Sequence, residues 1–237
     1  MRQLGLALVL LLWLVAIAPA SAAVQVGSKA FTESYVLAEM VVQAMERAGL
    51  QANHRPGMGG TIILWQALRS GGIDSYPDYT GTISEQILGA AQPMSNEEIR
   101  SALAAQGIGM TDPLGFDNTY ALVMHRPAAQ RLGVRTISDL GAHPDLQVGL
   151  SHEFLERRDG WWPLAERYGL EELEVRGLEH ALAYPAVVRG ELDLTEAYST
   201  DAKLGELDLV TLEDDLDFFP RYEAVFLYRL DLEPAAV

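Results

Sequence analysis

Gly71-Gly-Ile-Asp-Ser-Tyr-Pro-Asp-Tyr-Thr-Gly-Thr82 decides how the rest of the chain is read. A glycine pair that stops a helix is followed by one apolar step at Ile73, and two tyrosines then flank Pro77. Proline has no N–H to give a central strand, so the stretch reads as a strand that ends there and stops pairing. A helix follows: Thr82 suits an N-cap, Glu85 stands three residues on as in a capping box, and Ile83, Ile87 and Leu88 supply an apolar face. Tyr79 and Thr82 therefore fall at a strand-to-helix corner. Such corners at the carboxyl ends of strands are where open α/β sheets bind small ligands, and free N–H groups at a helix start favour negative charge.

A second copy lies further along the chain. Gly190-Glu-Leu-Asp-Leu-Thr-Glu-Ala-Tyr198 repeats the frame, with an aspartate five residues before the tyrosine in both copies. Each copy follows a helix-like run, Ile62 to Arg69 and Ala181 to Arg189. Two lobes of similar construction would each present one tyrosine to a shared cleft.

Around these copies, strand-like and helix-like segments alternate. Ala23 to Gly27 reads as a strand, and the helix from Thr32 to Gly49 carries Val36, Leu37, Met40, Val41, Ala44, Met45 and Ala48 on one face. Leu50 to Arg55 is a weak second strand, and Thr61 caps a helix through Leu68. Ser95 and Glu98 form a capping box for a helix that stops at Gly107. Ala121 to Met124 is a strand that crosses into the second lobe, and Thr136 to Leu140 is a short helical turn. Leu146 to Leu150 is a strand, and Ser151 caps a helix through Glu156. Trp161 to Tyr168 is a further helix, with Trp161 and Trp162 read as packing residues. Val175 begins another strand-like step. The run from Leu178 to Val188 holds Pro185, which should kink it or mark its true start. Leu209 to Leu212 is a strand, and Ala224 to Tyr228 returns to the first lobe. The alternation predicts a two-lobed, mainly parallel α/β architecture. Lobe I spans 23–112 and 213–237, and lobe II spans 113–212.

Composition sets the compartment. The 237 residues contain no cysteine, which excludes disulfides, thiolate metal sites and a lipid-modified cysteine. Arg2, the apolar run Leu4 to Ala18 and the small-residue stretch Pro19-Ala-Ser-Ala-Ala23 have the form of a secretory signal peptide over residues 1–22. The chain is expected in a bacterial periplasm. Its formal charge of −16 repels phosphate backbones and anionic lipid, so nucleic acid is not an expected partner.

Catalysis finds no positive signal. The histidines at 54, 125, 143, 152 and 180 lack metal-ligand spacing, and His152-Glu153 lacks the second histidine of a zinc helix. There is no Gly-x-Ser-x-Gly elbow, and Gly57-Met-Gly-Gly-Thr61 lacks the lysine of a phosphate loop. Asp74 and Asp78 read as solvated or capping residues beside a turn.

Six segments, taken in order, carry a resemblance. They are Val26-Gly-Ser-Lys-Ala-Phe-Thr-Glu33, Gly-Gly-Thr61, Ile-Asp-Ser-Tyr-Pro-Asp-Tyr-Thr-Gly-Thr82, His-Glu-Phe-Leu-Glu-Arg157 with Asp-Gly-Trp161, Tyr-Ser-Thr-Asp201 and Phe-Pro-Arg-Tyr222. Together they resemble the glycine betaine/choline/carnitine substrate-binding proteins of osmoprotectant ABC transporters. The resemblance implies a type II periplasmic-binding-protein fold, a monomer without cofactor or metal, and an inner-membrane permease with its ATPase as partner. It further implies a ligand cage of Tyr79, Tyr120, Tyr198 and Tyr222, and a carboxylate clamp of Lys29, Thr82 and Arg157, with Arg158 as the adjacent alternative. Choline, ergothioneine and a sensing role are the competing expectations. The resemblance also implies helices beyond the last strand, whereas this sequence stops at Val237.

A methylated ammonium donates no hydrogen bond, so ring faces are what can select it. Four rings at about 0.5 to 2 kcal/mol each supply about 2 to 8 kcal/mol. Micromolar binding needs about 8 kcal/mol net of ordering costs, so charge-assisted bonds to the carboxylate must add the remainder.

Overall fold

The computed structural model describes residues 23–90, 92 and 94–232. The expected signal peptide and the last five residues lie outside them. The strands, in chain order, are Val24–Gly27 (β1), Ala52–Arg55 (β2), Ser75–Tyr79 (β3), Ile108–Met110 (β4), Tyr120–His125 (β5), Val148–Ser151 (β6), Val175–Leu178 (β7), Leu194–Tyr198 (β8), Leu209–Thr211 (β9) and Ala224–Arg229 (β10). They form two five-stranded sheets of matching order, β2-β1-β3-β10-β4 and β7-β6-β8-β5-β9.

Each sheet is mixed. β1 runs parallel to β2 and β3, whereas β10 is antiparallel to β3 and β4; the second sheet repeats this around β6 and β5. The antiparallel strand in each sheet is the one that arrives from the other sheet. Helix-connected strands pair in parallel, and the crossing strands supply the opposite direction. The crossings run side by side, with Asn118 N–H bonded to Tyr222 O at 3.0 Å and an isolated antiparallel bridge between Asp117 and Glu223.

The sequence repeat is a structural one. β3 and β8 hold the same place in their sheets, and Gly71 and Gly190 both end the preceding helix at φ +74°. Asp74 accepts the N–H of Gln25 at 2.8 Å, and Asp193 accepts the N–H of Gln147 at 2.9 Å. The repeated aspartate thus caps the start of the neighbouring parallel strand in both lobes, so of the two roles expected for Asp74, solvated or capping, the structure shows capping.

Several local readings change. β3 continues through Pro77, which sits opposite Phe226 of β10. Arg229 N–H bonds to Asp74 O and Thr80 N–H to Glu223 O, which places the even-numbered residues of β3 on the β10 edge. The N–H that Pro77 lacks would point to the other edge, where pairing with β1 stops at Ser75. Thr82 is not an N-cap: the helical turn starts at Thr80 without a side-chain cap and runs into a π-helical turn, Ile83–Ile87. The helix Thr32–Arg47 buries Ser34, Leu37, Ala38 and Val42, and Val36 and Met40 of the expected face are exposed. Helix His180–Val188 starts before Pro185 and carries it inside. β4 and helix Arg126–Leu132 are additions to the expected elements, each too short to show periodicity in the sequence. The capping box at Ser95 and Glu98 is formed as read. Trp161 is fully buried, whereas Trp162 is exposed.

Candidate functional site

The carboxyl ends of β3 and β8 and the two crossings meet at one place. Tyr79 and Tyr198 end their strands, Tyr120 begins β5 directly opposite Tyr198, and Tyr222 stands two residues before β10. Tyr79, Tyr120, Tyr198, Tyr222, Lys29, Thr82 and Arg157 all line a single cavity, so each residue named from the sequence is brought there. Phe31, Asn118 and Glu153 complete the lining. The sequence reading missed these three although each lies inside a quoted segment or beside a named tyrosine, because no local pattern distinguishes them from core or surface residues.

The rings form a continuous aromatic surface. The Tyr120 ring centroid lies 5.3 Å from that of Tyr198 and 5.8 Å from that of Tyr222, the latter pair nearly perpendicular at 78°. Phe31 approaches Tyr198 to 5.0 Å across the cleft, and His180 lies tilted by 32° against Tyr198 at 4.5 Å. Burial, with neighbouring carboxylates, holds the phenols of Tyr79, Tyr198 and Tyr222 well above the ordinary tyrosine pKa. Burial also raises Tyr120, against a lowering by the Arg157 charge. These rings stay neutral and keep their electron-rich faces at physiological pH.

Every charged lining group has a partner. Lys29 Nζ donates to Asp78 Oδ1 at 2.7 Å and to Thr61 Oγ1 at 2.9 Å, so Asp78 is a buried ion-pair partner, a role beyond the solvated or capping one expected. Arg157 grips Asp159 through Nε at 2.8 Å and Nη2 at 2.5 Å, reaches Thr82 Oγ1 at 3.3 Å, and lies 4.9 Å from the Tyr120 ring centre. Arg158 is exposed and does not line the cavity. Tyr222 OH donates to Asp159 at 2.7 Å, and Tyr79 OH donates to Glu33 at 2.5 Å. The carboxylates of Glu33, Asp78, Glu153 and Asp159 outnumber the two cations, giving the site a potential that favours a cation.

The lobes are drawn together here. Gln86 of the first lobe donates to Asp159 of the second at 2.9 Å, and Thr82 and Arg157 meet across the same gap. The cavity inside measures about 20 Å³. That is room for about one water, so admitting a larger molecule requires the rings and lobes to move apart. Among the described residues no cluster of histidine and carboxylate side chains has the spacing to hold a metal, and no helix is long and apolar enough to cross a membrane.

Known proteins resemble this chain in sequence and fold. The chain is 30% identical over 227 residues to the glycine-betaine-binding protein of Pseudomonas aeruginosa, covering 88% of this chain and 72% of that one. It is also 30% identical over 212 residues to the ergothioneine transport permease/ergothioneine binding protein EgtU of Helicobacter pylori, covering 87% of this chain and only 38% of that longer protein. A crystal structure described as a glycine betaine/carnitine/choline ABC transporter superposes with a TM-score of 0.67 at 27% identity, over 87% of this chain and 79% of the other. Residues 22–236 match the sequence pattern of a family described as the substrate binding domain of the ABC-type glycine betaine transport system, and the chain belongs to that family.

Proposed function

We propose that the cleft captures a small quaternary-ammonium zwitterion such as glycine betaine and hands it to an inner-membrane permease driven by an ATPase. The observation that carries this reading is the convergence of Tyr79, Tyr120, Tyr198 and Tyr222, from both lobes, on one cavity edged by Lys29, Thr82 and Arg157. Ring faces attract an ammonium that cannot hydrogen-bond, and the remaining donors of Lys29 and Arg157 take the ligand carboxylate. Among the described residues no protein group accepts from Arg157 Nη1, which leaves that side of the guanidinium for an anion. The lobes, 23–112 with 213–237 and 113–212, close on the ligand as a monomer in the periplasm, after removal of residues 1–22. No bond is made or broken.

Titration calorimetry tests this with glycine betaine and with 3,3-dimethylbutanoate, its uncharged-head isostere. Binding of the first and not the second supports the cage; equal binding of both refutes it. A cation lacking the carboxylate, such as choline, is the second reading. It is favoured by the pairing of Lys29 with Asp78 and of Arg157 with Asp159, which leaves less positive charge for a ligand anion.

A further inference from the structure

Glu196 and Tyr198 stand two residues apart on β8, so their side chains leave the sheet on the same face. Helix His180–Val188 packs against β8, and its first residue meets both of them. His180 Nδ1 lies 3.0 Å from Glu196 Oε1, while the imidazole ring centre lies 4.5 Å from that of Tyr198, the rings tilted by 32°. Tyr198 lines the cage cavity and His180 does not, so the imidazole touches a cage ring from outside. A titratable group thus stands behind a ring offered to the ligand.

The groups around His180 accommodate both of its charge states. Glu196 is fully buried, and its two oxygens accept the Ser151 N–H at 3.1 and 3.0 Å, which fixes the carboxylate in front of Nδ1. Among the described residues no lysine or arginine pairs with it; His180 is its ionic partner. On the other side of the ring, Nε2 lies 3.3 Å from Tyr184 OH and 3.9 Å from Asp201 Oδ2. A hydroxyl both donates and accepts, so Tyr184 OH can donate to the bare Nε2 of a neutral ring or accept from the N–H of a protonated one. Lys203, with Nζ 5.4 Å from the Tyr184 ring centre, is the nearby cation, and Glu153 and Arg157 are the other charges acting on Tyr198. The His180 side chain is 19% exposed, so protons reach it from solvent. Histidine is the side chain whose charge ordinarily changes between about pH 5 and 8.

We infer that His180 is a positioning residue whose charge, acting through Tyr198, sets how strongly the cage holds a cation. With His180 neutral, the Glu196 carboxylate stands uncompensated behind the ring and adds to the attraction for a ligand ammonium. With His180 protonated, that charge is cancelled and the ring faces a cation on each side. Affinity for a quaternary ammonium therefore falls as pH falls through the histidine range. By linkage, binding the ammonium expels the proton. This rests on the cage reading above and adds a control on its strength.

The test is calorimetry on the full chain with glycine betaine and choline between about pH 5 and 8, in buffers of different ionisation enthalpy. Neither probe titrates in that range, so any proton exchanged belongs to the protein. Wild type is expected to lose about three- to tenfold in affinity from the top of the range to the bottom, and to release protons on binding in the middle of it. His180→Gln keeps a donor for Glu196 and removes the charge, and its profile is expected to be flat within about twofold. His180→Lys makes the charge permanent, and its profile is expected to be flat at the weak, low-pH end of wild type. A residue that only filled space would give the two variants the same affinity. Wild-type binding that is independent of pH and releases no proton overturns this inference alone, and that measurement needs neither variant to fold. So does a His180→Gln variant that keeps the wild-type slope, or equal affinities in the two variants. Failure of wild type to bind either probe at any pH overturns the cage reading and this inference with it.

Discussion

Arg157 and Asp159 form a buried two-point pair, with Nε 2.8 Å from Oδ1 and Nη2 2.5 Å from Oδ2, and Asp159 also accepts from Tyr222 and Gln86. In the proposed clamp, a ligand carboxylate would share the Arg157 guanidinium with Asp159. Asp159→Asn keeps the shape and removes the competing charge. The affinity ratio of glycine betaine to choline is expected to rise by about tenfold, or about 1.4 kcal/mol, in calorimetric titrations. An unchanged ratio means that Asp159 does not govern the ligand's charge.

Lys29 is the partner of a carboxylate that is fully buried and has one oxygen already without a hydrogen bond. Lys29→Met leaves Asp78 as an uncompensated charge, a change that costs about 3 to 5 kcal/mol. The double variant Lys29→Met/Asp78→Leu should recover most of this. Urea unfolding measures both, and a single variant as stable as wild type would contradict the pairing.

In the proposed cage the rings would act through their faces, whereas their hydroxyls differ. Tyr120 OH makes no hydrogen bond among the described residues, whereas Tyr79 OH donates to Glu33. Tyr120→Phe should bind a trimethylammonium ligand within about twofold of wild type, and Tyr120→Ala should lose about 0.5 to 2 kcal/mol of binding. Tyr79→Phe should additionally lower thermal stability, since it removes a bond to a carboxylate worth about 1.5 to 3 kcal/mol.

Burial raises the phenols of Tyr79, Tyr120, Tyr198 and Tyr222 above the unfolded value of 10.0. A folded pKa above the unfolded one means that the stabilisation is complete below about pH 10 and is lost as pH rises beyond it. Stability and affinity should therefore show no tyrosine-linked fall from neutrality to about pH 9.5 and decline above about pH 10. Tyrosinate absorbance should report these rings ionising only as the chain unfolds; ionisation near the ordinary value in the folded protein would show that the cavity is open to water.

Ser95 closes a reciprocal capping box with Glu98, accepting the Glu98 N–H while Glu98 accepts the Ser95 N–H at 2.8 Å. Ser95→Ala is expected to cost about 1 kcal/mol of stability, measured by urea unfolding, without altering ligand affinity.

The sequence by itself determined the two-lobed α/β architecture and the repeat, because glycine stops, the recurring aspartate and helix periodicity are local signals. The repeated Gly71 and Gly190 had a physical basis: both need the left-handed backbone that glycine adopts freely. The segments also carried the family and the seven residues that converge on the cavity. Only the tertiary structure decided the partners. Asp78 read as a solvated or capping residue because nothing within a few residues shows that Lys29, 49 positions away, will meet it in the core. Pro77 read as a strand end because its harmlessness depends on where the neighbouring strand stops. The places of Phe31 and Glu153 in the cavity depend on two lobes meeting, and long-range pairing of buried charge leaves no mark in local sequence.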